Sequence, residues 1–253
     1  MDKPENKRLE GQPIVPHENN AEFYDFAYEK SYGPVYRRLT DLSMAAINRV
    51  FHKSGIIDYG AGTGRLAIPL ANTGYKVYAV EPCREMAQVL ERKALEAGLD
   101  IPVHLKTISG YEGEDADLAL AVFTVMSYIT DEGEMRRSLA NIHRHLLPEG
   151  LFLFDLPNDI FFNTGVLMDM NMDILKRRVE ITRSEGNVFR YMETISGILD
   201  GIHFGPIHED FPIRRWTWLE MDAMLVEAGF RKMPIEFPEF AFSAATYRLY
   251  QKQ

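Results

Sequence analysis

The residues best suited to chemistry stand in the run IIDYGAGTGRLAIPL, from Ile56 to Leu70. Gly60, Gly62 and Gly64 occupy alternate positions, and the acid Asp58 precedes the first of them by two. Glycine takes positive φ freely and puts no Cβ between the chain and a ligand. So bare a turn, after a short apolar strand and before an amphipathic run, is a backbone cradle for a nucleotide-like ligand. The spacing discriminates among cradles. A P-loop requires Gly-Lys followed by Ser or Thr, and none follows here. The dinucleotide fingerprint G-x-G-x-x-G requires a glycine where Arg65 stands. A second acid, Glu81, ends the apolar run VYAVEP. A carboxylate at that strand end can accept hydrogen bonds from both hydroxyls of a ribose, which suits NAD or an adenosyl group alike.

These residues need a scaffold, and the hydrophobic pattern supplies one. NNAEFYDFAYEKSY and GPVYRRLTDLSMAAINRVF read as helices, the second with Pro34 at its first position and a stripe of Val35, Leu39, Leu42, Ala46 and Val50. Strand and helix then alternate: strands GIIDY, KVYAVEP, IPVHLKT, ADLALAVFTV and LFLFDLP, separated by helices. GRLAIPLANTG is a helix interrupted by Pro69, and REMAQVLERKALEAG ends at Gly98. The helix from Asp131 has Glu134 in capping-box spacing, an apolar face of Met135, Leu139, Ile142 and Leu146, and a stop at Pro148 and Gly150. This rhythm predicts an α/β fold with a mostly parallel sheet and right-handed crossovers. From Asn158 to Trp216 the composition turns β-branched and aromatic, with turn signals at Glu185-Gly186-Asn187 and Leu199-Asp200-Gly201; two or three inserted antiparallel strands are expected. The core resumes with TWLEMDAMLVEAGF, capped by Thr217 and Glu220, and two last segments, KMPIEF and AATYRLY, read as a closing hairpin.

The bulk numbers narrow the function. The chain has 253 residues, 46% of them hydrophobic, which suits one large domain, or a domain with a sizeable insertion. The single cysteine, Cys83, allows no intrachain disulfide and fits a reducing compartment. No apolar run is long enough to span a bilayer and no signal-peptide core opens the chain, so a soluble, cytoplasmic protein is expected. The net charge of -9 disfavours a polyanionic partner. The insertion agrees, since its basic run KRRVEITR is outweighed by nine acids against seven basic residues. His203 and His208 lie in the insertion and read as solvated before they read as a base. No second ligand cluster accompanies His208, Glu209 and Asp210, and no metal is expected. No catalytic triad is legible. Tyr128 and Asn158, beyond the fourth and fifth strands, are the acceptor-contact candidates from position alone.

The joint pattern D-x-G-x-G-x-G and V-x-x-V-E-P resembles the class I S-adenosylmethionine-dependent methyltransferases. DYGAGTG is similar to their first motif, AVEPCREM to their second, LANIHRHLLPEGLFLFD to their late helix and fifth strand, and RRWTWLEMDAMLVEAGF to their final helix. The resemblance covers nearly all of residues 20 to 253. It implies a Rossmann-like, seven-stranded, mostly parallel sheet with helices on both faces, plus an antiparallel β subdomain. Residues 1–19 would be an N-terminal arm, 20–157 and 217–253 the core with a helical lid, and 158–216 the insertion, as a substrate lid or dimer contact. It implies S-adenosyl-L-methionine as cofactor and methyl transfer to an N or O atom of a small molecule. Gly60, Ala61, Gly62 and Gly64 would line the methionine moiety and ribose, and Asp58 would lie near the cofactor's amino group. Glu81 would hold the ribose, Pro82 and Met86 would stand near adenine, and Phe123 would offer backbone contact. The family's acid after the third strand is missing from LKTISGYEGED, leaving Thr107, Ile108 or Ser109 in the adenine region, with Ile108 taken as the cofactor contact. EFYDFAYEKSY resembles the N-terminal lid of small-molecule methyltransferases, with Tyr24 and Tyr28 as lid residues. Partners would be a small-molecule acceptor, without nucleic acid or membrane, in a monomer or homodimer. An NAD(P)-linked oxidoreductase and a non-catalytic S-adenosylmethionine or S-adenosylhomocysteine binder are the competing classes.

Overall fold

The computed structural model describes residues 15–253. The expected arm therefore lies outside the described residues as far as residue 14. Helix α1 (Ala21–Tyr32) is joined to α2 (Pro34–Val50) by Gly33, whose φ of 43° suits glycine, and Pro34 opens α2 as expected. The buried face of α2 is Tyr36, Leu39, Ser43, Ala46 and Ile47. It is rotated from the expected stripe because the large Tyr36 and Ile47 side chains face the core while Val35 is exposed.

The alternating region follows: β1 (Gly55–Tyr59), α3 (Ala67–Asn72), β2 (Lys76–Val80), α4 (Arg84–Glu96), β3 (Val103–His104), β4 (Ala116–Ala121), α5 (Glu132–His145) and β5 (Leu146–Pro157). Pro69 falls in the first turn of α3, where its missing N–H leaves no helical bond unmade. The third strand is only two residues long. Helix α5 is capped by Asp131, whose side chain accepts from the Glu134 amide, and ends at His145. The stop comes earlier than Pro148 because proline drives the residue before it out of the helical region, and β5 begins at Leu146.

The insertion holds four strands, one more than the upper expectation: β6 (Gly165–Asn171), β7 (Leu175–Glu185), β8 (Val188–Leu199) and β9 (Ile202–Arg214). The unforeseen β6 is a largely exposed edge strand, with no buried alternation to announce it; pairing with β7 creates it. Helix α6 (Trp218–Glu227) carries the complete capping box of Thr217 and Glu220. The closing hairpin is β10 (Phe230–Lys232) with β11 (Ala245–Lys252). Its first strand ends on Lys232, the first residue of KMPIEF, since Pro234 cannot donate to a ladder.

The seven-stranded sheet runs β10-β11-β5-β4-β1-β2-β3, with β11 antiparallel to β5 and β10 and the other pairings parallel. The four-stranded sheet, β6-β7-β8-β9, is antiparallel throughout. Alternate residues of β1 and β4 serve opposite faces. Ile56, Leu118 and Leu120 pack with Leu39 and Ile47 of α2 and Leu90 of α4. Ile57, Ala119 and Ala121 pack with Leu139 of α5 and Leu225 of α6. Strand β1 is flanked by β2 on one side and β4 on the other, so the strand order reverses there and a crevice opens beyond the carboxyl ends.

Candidate active site

The crevice holds a cavity of about 540 Å³, walled by the ends of β1, β2 and β4, the segment before α1, helices α1 and α2, and β9. Its floor is the glycine turn. The Gly60 and Ala61 amides both donate to the Val80 carbonyl, at 2.7 and 3.2 Å. The three glycines have different tasks. A Cβ on Gly60, at φ 67°, would stand 2.7 Å from Val125 Cγ2. Gly62, at φ 57°, faces open space, and its amide donates to Glu81 Oε2 at 2.8 Å. Gly64 is turned away from the cavity: a Cβ there would meet Ile68 and Leu90 within 3.1 Å, so its bareness serves close helix packing.

Glu81 is 7% exposed, and its other oxygen accepts from the Cys83 amide at 2.8 Å. Burial pushes its carboxyl up to about 7, against the pull of those two amides. Asp58 is buried beside it and also raised to about 7, chiefly by burial, with the Arg65 charge opposing. Met86 packs with Cys83 and Val89, and with Val15, Ala21 and Tyr24 at and before α1. Ile108 lines the cavity from a loop that Asn141 fixes by donating to the Ile108 and Tyr111 carbonyls, at 2.8 and 3.0 Å.

Beyond β4 the chain makes an unusual turn. Phe123 and Thr124 both take positive φ, 74° and 68°. Asp155, buried on β5, accepts from the Phe123 amide at 2.5 Å and the Thr124 amide at 3.2 Å. Burial raises the Asp155 carboxyl to about 6. The turn delivers Val125 against Gly60 and Tyr128 to the cavity wall.

The roof is aromatic. Tyr24 and Tyr28 stack at 4.3 Å, Tyr28 meets Phe123 edge-on at 5.7 Å, and Tyr36 meets Phe123 at 5.9 Å. Of the sequence candidates, Tyr24, Asp58, Gly60, Ala61, Gly62, Glu81, Pro82, Met86, Ile108, Phe123 and Tyr128 line one cavity. Tyr28 stands behind Tyr24 and outside the lining. Asn158 is not brought there at all. It accepts from Thr246 Oγ1 at 2.9 Å and borders a separate cleft near β11, because the chain bends away from the crevice at the end of β5. His203 and His208 also stand outside the cavity, His208 bonded to Thr194 Oγ1 at 3.0 Å.

Sequence reasoning missed a polar network that seats α1. Arg177 of β7 is fully buried, its guanidinium over Tyr28 at 4.3 Å and its Nε donating to Glu193 Oε1 at 2.5 Å. Glu193 also accepts from Asn20 Nδ2 at 3.3 Å. Glu209 of β9 accepts the Asn19 and Asn20 amides at 2.8 and 3.0 Å, satisfying donors at the start of α1. On the other side, Asp25 of α1 accepts from Thr63 Oγ1 at 2.6 Å and pairs with Lys93 at 2.8 Å, tying α1 to the glycine turn. His17, also missed, lines the cavity with Nε2 3.0 Å from Tyr128 Oη. The one available signal was the presence of buried-type charges, Arg177, Glu193 and Glu209, at apolar-facing strand positions.

A methyltransferase-domain family model matches residues 56–150. A protein of Geobacillus sp. (strain WCH70), provisionally named a methyltransferase, is 30% identical over 102 residues, 40% of this chain and 41% of its own length. The match thus spans about two-fifths of that relative. The crystal structure of an S-adenosylmethionine-dependent methyltransferase from Clostridium acetobutylicum ATCC 824 superposes with a TM-score of 0.79 at 17% identity, covering 91% of this chain and 98% of that one. The S-adenosylmethionine-bound CalS10 of Micromonospora echinaspora, an amino pentose methyltransferase, superposes at 0.70 and 17% identity, covering 98% and 100%. The fold and the glycine turn are those of the class I S-adenosylmethionine-dependent methyltransferases. Residues 56–150 of the chain carry a methyltransferase domain within that fold.

Proposed function

We propose that this protein transfers a methyl group from S-adenosylmethionine to a neutral amine nitrogen of a small molecule. The observation that supports it most is one cavity uniting an open-faced Gly62, the carboxylate of Glu81 and an aromatic roof that carries no base. The donor set fits the cofactor: Glu81 presents a ribose-binding carboxylate, Pro82, Met86 and Ile108 an apolar adenine wall, and Asp58 an anion for the amino end. S-adenosylmethionine supplies a methyl group on a positively charged sulfur. Tyr24, Tyr36 and Phe123 offer ring faces that favour a cation and exclude water.

The choice of nitrogen follows from the groups around the roof. A hydroxyl acceptor needs a base, whereas an amine has only to arrive unprotonated. His17 is pushed down to about 3 by burial and by the Arg177 charge, so it stays neutral and takes no proton near pH 7. Burial drives the Tyr24 and Tyr128 phenols well above their usual range, so neither is a phenolate. Asp131 Oδ1 caps α5, and Glu134 accepts from Ser109 Oγ and pairs with Arg137. Tyr128 and His17 then orient the acceptor by hydrogen bonds, and the roof holds it in line with the methyl group. The superposition with an amino pentose methyltransferase supports an amine-bearing acceptor.

Calorimetry with S-adenosylmethionine, S-adenosylhomocysteine and NADH tests the cofactor. Binding of the first two and not of NADH is expected; NADH binding alone would sink the proposal. Matched amine and hydroxyl acceptors on one carbohydrate scaffold then test the atom, with methyl transfer expected to the amine only.

A further inference from the structure

Two side chains that do not line the cavity control one that does. His17 Nε2 stands 3.0 Å from Tyr128 Oη, a distance that suits a donor on either side. The layer behind them, between α1 and the four-stranded sheet, decides which one donates. Glu193, 2% exposed, is paired with Arg177, whose Nε donates to Oε1 at 2.5 Å. A carboxylate in such a pair only accepts. Its Oε2 lies 3.3 Å from Nδ2 of Asn20, which is 1% exposed. The Asn20 amide therefore turns its NH2 group to Glu193 and its carbonyl oxygen away.

Two neighbouring atoms remain unused. Asn20 Oδ1 and His17 Nδ1 are both buried and make no other hydrogen bond among the described residues. They belong to the turn that leads into α1. Buried polar atoms are paired in native proteins, and a bare carbonyl oxygen calls for a donor. Of the two groups only the imidazole can supply one, by carrying its hydrogen on Nδ1. The Asn20 side chain favours the protonated His17 ring, against burial and the Arg177 charge, as the acceptor of a ring N–H does. Tyr24, Tyr128 and Phe211 pack edge-on around the imidazole at 5.1, 5.9 and 5.0 Å and hold its orientation.

We infer that Asn20 and Glu193 are positioning residues that hold His17 in its Nδ1–H form, so that Nε2 accepts from the Tyr128 hydroxyl and Tyr128 Oη offers the substrate amine lone pairs only. This inference rests on the proposed amine substrate. A nitrogen that meets a lone pair has to bring an N–H, and its own lone pair is then free for the methyl group. As the nitrogen–carbon bond forms and the carbon–sulfur bond breaks, the electron pair of the broken bond returns to sulfur and positive charge passes to nitrogen. The hydrogen bond to Tyr128 strengthens with that charge, and the ammonium product gives its proton to water after release. The opposite tautomer would make Tyr128 a donor and occupy the lone pair that has to attack. Primary and secondary amines are thus the substrates this chain of bonds admits, and a tertiary amine, which has no N–H, is refused.

The experiment reads the tautomer directly and then its consequence. Proton–nitrogen correlation spectra of the full chain with isotope-labelled histidine distinguish a ring nitrogen that bears hydrogen from one that does not, and His17→Phe assigns the signal among the seven histidines. Wild type is expected to show His17 with hydrogen on Nδ1, and Asn20→Leu to move it to Nε2. Kinetics follow on an aminosugar, its N-methyl and N,N-dimethyl derivatives and its hydroxyl counterpart. Asn20→Leu and Tyr128→Phe should each lower kcat about tenfold with KM within about threefold, because the bond strengthens during transfer. The double variant should lose little more than either alone, since both break one chain of bonds. The first two amines should be methylated and the N,N-dimethyl compound should not. Hydrogen on Nε2 in folded wild type, or transfer to the tertiary amine at a rate near that of the primary one, would overturn the inference while the amine reading stands. Transfer to the hydroxyl counterpart alone would overturn the amine reading and this inference together.

Discussion

The two sheets meet at one cavity and hold it by different means. The seven-stranded sheet presents backbone: bare glycines, strand-end amides, and two carboxylates, Glu81 and Asp155, that receive those amides. The four-stranded sheet presents side chains. Its Arg177, Glu193 and Glu209 are buried charges that seat the start of α1, and its Phe204 stacks on Phe23 of that helix at 4.1 Å. A ligand shared by a whole class can be gripped through peptide groups, which every sequence possesses. An acceptor peculiar to one protein has to be framed by side chains, and these are free to vary. The contrast predicts that damage to the first sheet abolishes cofactor binding, while damage to the second alters how α1 is seated over the cavity.

The sharpest break should come from Glu81→Ala. It deletes the proposed ribose acceptor and strands the Gly62 and Cys83 amides, so S-adenosylmethionine affinity should fall about 100-fold or more, read by calorimetry. Next, Asp155→Ala leaves two amides of a left-handed turn without their acceptor and should destabilise the fold by about 2–4 kcal/mol in denaturant unfolding. In the second sheet, Glu209→Gln keeps an acceptor for Asn19 and Asn20 but removes the charge. Cofactor affinity should change less than about threefold, and stopped-flow release should quicken; a loss as large as that of Glu81→Ala would erase the distinction between the sheets. At the small end, Asn158→Ala should leave both cofactor affinity and turnover unaltered, since the residue stands outside the cavity.

Acidity offers an independent comparison. Asp58 and Glu81 have folded-state pKa values of about 7, above the ordinary carboxylate range, because burial penalises their charge. The folded chain therefore holds protons that the unfolded chain gives up. Their contribution to the stability of the ligand-free protein is complete below about pH 4 and is lost as the pH rises through 7. Glu81→Gln cannot ionise, so its thermal midpoint should gain on that of wild type between pH 5 and 8. Cofactor affinity should move oppositely and strengthen over the same range if, as proposed, the ionised carboxylates are the binding forms.

What could be read from the chain follows the same division. The glycine turn, Glu81, the alternating strands and the Thr217–Glu220 cap were legible because each is written in contiguous residues with a fixed spacing. Gly64 stands outside the cavity lining although its spacing groups it with Gly60 and Gly62, because spacing shows that a Cβ is unwelcome but not what it would strike, here Ile68 and Leu90. Strand β6 was missed because its exposed face carries no period. Arg177, Glu209 and His17 were missed because their partners lie far away in sequence: Glu209 binds Asn19, and His17 meets Tyr128. Asn158 was drawn in by its place after a strand, although β5 continues into the pairing with β11 and leads the chain away.

The bond from Phe123 to Asp155 bears on how small a working fragment of this protein can be. The turn that supports Val125 against Gly60 depends on an acceptor 32 residues further along, reached only after α5 has crossed back and β5 has paired with β4. The methyltransferase-domain match ends at residue 150. A truncation cut at that boundary would keep all three glycines and Glu81 yet lose the carboxylate that holds the turn. The smallest excisable cofactor-binding unit must run through Asp155, and grafts or chimaeras that exchange the insertion have to be spliced after it.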